Sequence, residues 1–111
     1  MEQYENVHQF SNLTLIEYTD SIAGAYCGRL LADAGVNVIK VEPPDGDSTR
    51  LRGPFLKDDS HLDRSGLFHY LNANKQSLVL SPKLPNDLST LCNLLRSVDM
   101  FTLTIPPSTM T

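Results

Sequence analysis

The stretch LADAGVNVIKVEPPDGD, residues 31–47, decides the fold. A helical pattern runs into Gly35, a residue that takes the left-handed conformation past a helix end without strain. VNVIKV, Val36 to Val41, follows at once and reads as a short β-branched strand. Pro43-Pro44 ends it, because proline has no N–H to give to a ladder. Upstream, LTLIEY (Leu13 to Tyr18) is another apolar run, closed by the capping residues Thr19-Asp20-Ser21. The helix between the two runs carries Ile22, Tyr26, Leu30 and Ala34 on one stripe, widened by Ala23, Cys27 and Leu31. That stripe is expected to face the core. Strand, helix and strand with tight joints make a βαβ unit, which implies parallel pairing and a right-handed crossover.

Downstream the chain changes character. From Pro43 to Arg64 it has no helical or strand periodicity, and it holds Asp45-Gly46-Asp47, Arg50, Arg52, Gly53-Pro54, Lys57, Asp58-Asp59 and His61. Loops of this length in a compact domain are usually functional or mobile. Ser65 can cap a short helix with Leu67, Phe68 and Leu71. SLVL (Ser77 to Leu80) reads as a third strand, and Pro82 and Pro85 punctuate the loop after it. Asn86 can cap a helix with Leu88, Leu91, Cys92 and Leu95 at helical spacing. VDMFTLT (Val98 to Thr104) reads as a fourth strand, stopped by Pro106-Pro107. Alternating elements argue for an α/β fold. In such sheets ligands bind outside the carboxyl ends of the strands. Here those ends are Thr19 to Gly24, Glu42 to Pro44, Ser81-Pro82 and Thr104 to Pro107.

With 111 residues the chain holds at most one domain, and 41% hydrophobic against 20% charged residues reads as globular. A net charge of −4 without a basic block argues against nucleic acid as a partner. No apolar run is long enough to span a bilayer, so no membrane partner is expected. MEQYENVHQF lacks a signal-peptide pattern, and a cytoplasmic location is the default expectation. Cys27 and Cys92 have no metal or redox spacing and read as reduced, buried thiols.

Several residues could carry chemistry. The turn TDSIAGAYCG feeds a helix N-terminus, which favours an anion such as a phosphate. It is not a GxGxxG loop, and from these residues alone a plain capped helix packing on a sheet is the better reading. In LNANKQ, Lys75 follows two asparagines and could meet a phosphate, or could be an ordinary exposed turn residue. Arg50, Arg52 and Lys57 could clamp a phosphate or carboxylate, or form a solvated loop. His8, His61 and His69 are isolated and show no metal spacing, and no metal is expected. Ser21 has no nucleophile context. Capping and surface roles suffice for Asp20, Glu42 and Asp99.

IEYTDSIAGAYCGRLLADAGVNVIKVEPPDGDSTRLRGPF, followed by LFHYLNANKQSLVL, resembles the N-terminal region of the family III CoA-transferases, the CaiB/BaiF family. The matching features are Ala23-Gly24, Leu30 to Asp33, Gly35, Val38 to Pro43, Gly53-Pro54, Leu71-Asn72 and Asn74-Lys75. The resemblance implies a Rossmann-like, mostly parallel sheet of about four strands with flanking helices, incomplete relative to the family's large domain. It implies coenzyme A or acyl-CoA as substrate. The CoA contacts it carries over are Ile22 and Ala23, Pro43, Asn72, Ala73, Asn74 and Lys75, and in the fourth-strand loop Thr104 and Ile105. The family's Asn-Phe pair in that loop is replaced here by Thr104, Ile105 and Pro106. Its nucleophilic aspartate lies beyond the matched stretch, so no residue takes the catalytic role. The expected organisation is an arm at 1–12, a CoA-binding segment at 13–105 with a long loop at 43–64, and a tail at 106–111. An excised domain, a truncated paralogue or one chain of a split enzyme would each fit. Expected partners are acyl-CoA and either a second copy or a longer homologous chain, since the family's protomers interlock. The alternatives are an interaction subunit that no longer binds CoA, a segment of a related acyl-CoA racemase, and a small complete enzyme using Asp20 or Glu42.

Overall fold

The computed structural model describes residues 10–55, 65–81 and 83–104. Residues 1–9 of the arm, Ile105, the 106–111 tail and Pro82 lie outside the described residues, as do Lys57, Asp58, Asp59, His8 and His61. The elements are β1 (Thr14–Tyr18), α1 (Ile22–Asp33), β2 (Asn37–Glu42), a 3₁₀ turn (Ser48–Leu51), α2 (Gly66–Leu71), β3 (Gln76–Val79), α3 (Pro85–Leu95) and β4 (Met100–Leu103). The four strands form one sheet in the order β3-β2-β1-β4, and every pairing is parallel. The expected Rossmann-like α/β sheet is therefore present, with its first strand inside.

The local signals explain most boundaries. Ser21 is extended, and its Oγ accepts the Gly24 N–H, which starts α1. Gly35 has φ 104° and its N–H donates to Ala32 O, which ends the helix and releases the chain into β2. Ser65 caps α2 by accepting from Phe68 N. The start of α3 differs from expectation. Leu84 is the N-cap, Pro85 is the first helical residue, and Asn86 lies inside the helix. Proline's fixed φ and missing N–H suit that first position, so no side-chain cap is needed. Asp87 instead ties the helix to the preceding loop by accepting from Ser81 N.

Strand alternation sends side chains to two faces. Ile16, Val41 and Leu80 meet Leu91, with Leu94 and Leu95 packed against them, beneath α3. Leu15, Val36 and Val38 form the other cluster, with Leu31 and Ala32 of α1 over them. Each such buried side chain contributes about 1.5–3 kcal/mol.

Two expectations are corrected. The stripe that α1 buries is not Ile22, Tyr26 and Leu30, which are 43%, 43% and 52% exposed. The helix buries Ala25 and Gly28 instead. The sheet surface beneath this half of α1 is ionic, built from Glu17 and Lys40, and only small residues leave it room. Cys27 and Cys92 are exposed, not buried. Cys27 turns outward with the rotated helix, and α3 directs Leu91, Leu94 and Leu95 to the sheet in place of Cys92.

Candidate functional site

In this strand order the connections leave the sheet on opposite faces between β1 and β4, which opens a crevice at their carboxyl ends. Backbone and hydroxyl groups organise that corner. Thr104 N donates to Tyr18 O, and Asp20 N donates to Thr104 Oγ1 at 3.0 Å. Asp20 Oδ1 accepts from Ser48 N at 2.9 Å, drawing in the loop after β2. The result is an open cleft of about 280 Å³ lined by Asp20, Ser21, Ile22, Ser48, Thr49 and Arg52. One wall is the N-terminus of α1, where Ser21 Oγ takes the Gly24 N–H and the amides of Ile22 and Ala23 have no intrahelical acceptor, an arrangement that favours an anion. The other wall carries Arg52, whose guanidinium makes no ion pair among the described residues.

Beneath α1 lies a buried ionic chain. Lys40 Nζ sits 2.9 Å from Glu17 Oε2 and 2.8 Å from Asp47 Oδ2. Asp47 Oδ1 accepts from both Thr49 N and Thr49 Oγ1 at 2.8 Å. Lys75 Nζ donates to the same Glu17 Oε2 at 3.1 Å, lies 2.8 Å from Oε1, and also donates to Ala25 O and Asn72 Oδ1. Glu42 holds Arg50 in two contacts, 2.7 Å from Nε and 3.0 Å from Nη2, and accepts from Asp47 N. The Arg50 guanidinium also stacks 3.6 Å from the Phe68 ring centroid. Buried charges persist only when paired in this way.

The protonation states follow. Burial alone would raise Asp47, but the Lys40 hydrogen bond and the Thr49 N–H outweigh it and hold its pKa below the usual aspartate value. Burial likewise opposes ionisation of Glu42, and Arg50 with the Asp47 N–H wins, lowering its pKa. For Lys40, burial lowers the pKa, yet the Asp47 hydrogen bond and the Glu17 charge carry it above the ordinary lysine value. Lys75 goes the other way, because burial lowers it by more than Glu17 restores.

The residues expected from sequence fall in two places. Ile22, Ala23 and Thr104 gather at the crevice, and half-buried Pro43 follows the neighbouring strand β2. Asn72, Ala73, Asn74 and Lys75 do not lie on that rim. They precede β3 and run along α1, where Lys75 reaches Ala25 O and Asn74 Nδ2 donates to Asp33 Oδ1. Asn74 takes φ 67°, the left-handed turn conformation. Lys75 is not an exposed turn residue, since its side chain is 2% exposed. Nor is the loop after β2 a solvated tangle: Asp47 and Thr49 are buried, and Arg50 is held by Glu42. Glu42 itself is buried, Asp99 Oδ2 accepts from Thr14 N, and His69 is exposed. Among the described residues there is no metal-ligating cluster, and no helix is long and apolar enough to cross a membrane. Sequence reasoning gave no site role to Glu17, Lys40, Asp47, Ser48 or Thr49. The available signal was a charge placed mid-strand in LIEY and in VIKVE, on the positions that alternation sends to the α1 face.

The sequence profile of CoA-transferase family III matches residues 10–111. A succinyl-CoA:mesaconate CoA-transferase from Haloarcula marismortui is 36% identical over 80% of this chain and 22% of its own length. A formyl-CoA:oxalate CoA-transferase from Rhodopseudomonas palustris is 40% identical over 78% of this chain and 20% of its own. Among solved structures, a CAIB/BAIF family protein from Brucella suis superposes with a TM-score of 0.73 at 28% identity, covering 84% of this chain and 25% of that one. The chain thus spans about a fifth to a quarter of the length of these relatives. On the profile match and the shared sequence and fold, this chain belongs to CoA-transferase family III.

Proposed function

We propose that this chain is the CoA- or acyl-CoA-binding N-terminal part of a family III CoA-transferase, and that it does not turn over substrate by itself. The observation that carries the reading is the crevice cleft, where the N-terminus of α1 faces Arg52 across about 280 Å³. A phosphate of CoA suits that pairing of helix amides and the Arg52 guanidinium. Ile22, Ala23, Pro43 and Thr104 would border it, with Asn72 to Lys75 contacting a more distant part of the ligand. On this reading the nucleophilic aspartate would lie outside the matched residues, and such a carboxylate would attack an acyl-CoA thioester. A cytoplasmic location and assembly with a second copy belong to the same proposal. Calorimetric titration of CoA and acetyl-CoA into the purified chain tests it. Micromolar binding at about one site per chain is expected, whereas a folded chain that takes up neither ligand would overturn the reading.

A second reading is an interaction subunit that pairs with a longer family III chain. The exposed apolar row Ile22, Tyr26 and Leu30 favours it. Co-elution with such a chain in the absence of CoA is its expected result, and separate elution would exclude it.

A further inference from the structure

Glu17 touches neither the cleft nor any surface, yet its carboxylate meets two lysines that lead toward different parts of the proposed ligand site. Through Oε2 it meets Lys40, which holds Asp47, which in turn caps the turn at Thr49 in the cleft wall. The links are 2.9, 2.8 and 2.8 Å long and every atom in them is buried. The same carboxylate meets Lys75, which donates to Oε2 at 3.1 Å and lies 2.8 Å from Oε1, and whose ammonium also binds the Asn72 side chain and Ala25 O within α1. The two arms start from β1, an interior strand paired on both edges. The fold also reserves space for this group, because α1 carries glycine, with no Cβ, directly over it at Gly28.

We infer that Glu17 is a positioning residue: its buried carboxylate fixes the Ser48–Arg52 cleft wall through Lys40 and Asp47, and the Asn72–Lys75 turn through Lys75. This rests on the CoA reading above for its functional meaning, while its structural half stands independently of any ligand. A plain stabilising pair would join two elements. This carboxylate joins interior strand β1 to two separate segments, and both segments carry residues of the proposed site. Low-dielectric surroundings make each link strong and its loss local and costly.

The test is Glu17→Gln in the full chain, which keeps shape and removes charge. Hydrogen exchange and CoA titration are both read. The expected result is exchange at least about tenfold faster at the amides of Thr49 to Arg52 and Asn72 to Lys75, with Ile16 and Val41 unchanged. CoA affinity should fall roughly tenfold alongside. A uniform rise across all amides would mean a merely stabilising role, and unchanged exchange in both segments would mean no role, so either result overturns the inference. Should Glu17→Gln not fold, Asp47→Asn cuts the first arm at its loop end while leaving Lys40 paired with Glu17. It should speed exchange at Thr49 to Arg52 alone and leave the Asn72 turn protected; unchanged exchange at Thr49 sinks the relay. If the unsubstituted chain binds no CoA, the CoA reading fails and the exchange results alone decide on Glu17.

Discussion

Glu17 Oε1 occupies the space where any side chain at Gly28 would begin: a Cβ added to Gly28 would lie 1.8 Å from it. On an open helix face, glycine to alanine is favourable by about 1 kcal/mol. Here the sign should reverse. Gly28→Ala is expected to destabilise the chain by about 1–3 kcal/mol, since the carboxylate is held by Lys40 and Lys75 and cannot step aside. A lower urea midpoint at constant m-value checks this; a raised midpoint would place the carboxylate elsewhere.

Lys40 stands between two carboxylates, and removing it leaves buried Asp47 without its cation and Glu17 with Lys75 alone. Lys40→Met should cost about 3–5 kcal/mol or prevent folding altogether. Circular dichroism during urea titration is the measurement, and a loss below about 1 kcal/mol would contradict the buried pairing.

The pH response has a defined sign. Asp47 and Glu42 have folded pKa values below their ordinary 3.8 and 4.5, so their contribution is complete above those values. It is lost as pH falls from there through the lower folded values. Stability should be flat from neutrality to about pH 5 and should then drop, with Asp47→Asn showing a shallower drop. The raised Lys40 adds the mirror image: its share is complete below 10.5 and is lost as pH climbs through its higher folded value. Urea midpoints across the acid and alkaline ranges give both limbs.

Arg52 is exposed at the cleft, and its loss should not affect folding. Arg52→Ala is expected to weaken CoA binding about 3–10-fold with an unchanged urea midpoint, and to flatten the salt dependence of binding. Equal affinity in both proteins would remove Arg52 from the site.

The exposed thiols give a direct check on the rotation of α1. Cys27 and Cys92 should both react with Ellman's reagent in the native protein, without a lag. Reaction only after denaturant would return them to the core.

The strand-helix-strand punctuation was readable in the chain because its signals are local: Ser21, Gly35, Pro43 and Ser65 each act on neighbouring backbone. The facing of α1 was not, because the rule that apolar stripes point inward assumes an apolar sheet beneath. The sheet here presents Glu17 and Lys40 to that helix, a fact about cross-strand neighbours, Glu17 opposite Lys40 in the β1–β2 register. The candidate site divided in the same way. Ile22 and Thr104 could be placed from strand ends alone. The inward direction of Lys75 depended on Glu17, whose position lies 58 residues away in sequence. Ser48, Thr49 and Arg52 entered the cleft through the Asp20–Ser48 contact, which no spacing announces.

The clasp between Thr14 and Asp99 has a consequence for how the protein is made. Thr14 N donates to the Asp99 carboxylate while Asp99 N donates to Thr14 O, joining the start of β1 to the start of β4 across 85 residues. During translation, β1 therefore leaves the ribosome with one edge that its own chain cannot yet cover. At roughly 5–20 residues per second, β4 follows roughly 4–17 s later. For that interval the nascent sheet exposes the unpaired backbone of what will become an interior strand. A chain stalled before residue 100 should thus be a substrate for holdase chaperones, and one that has passed residue 104 should escape them.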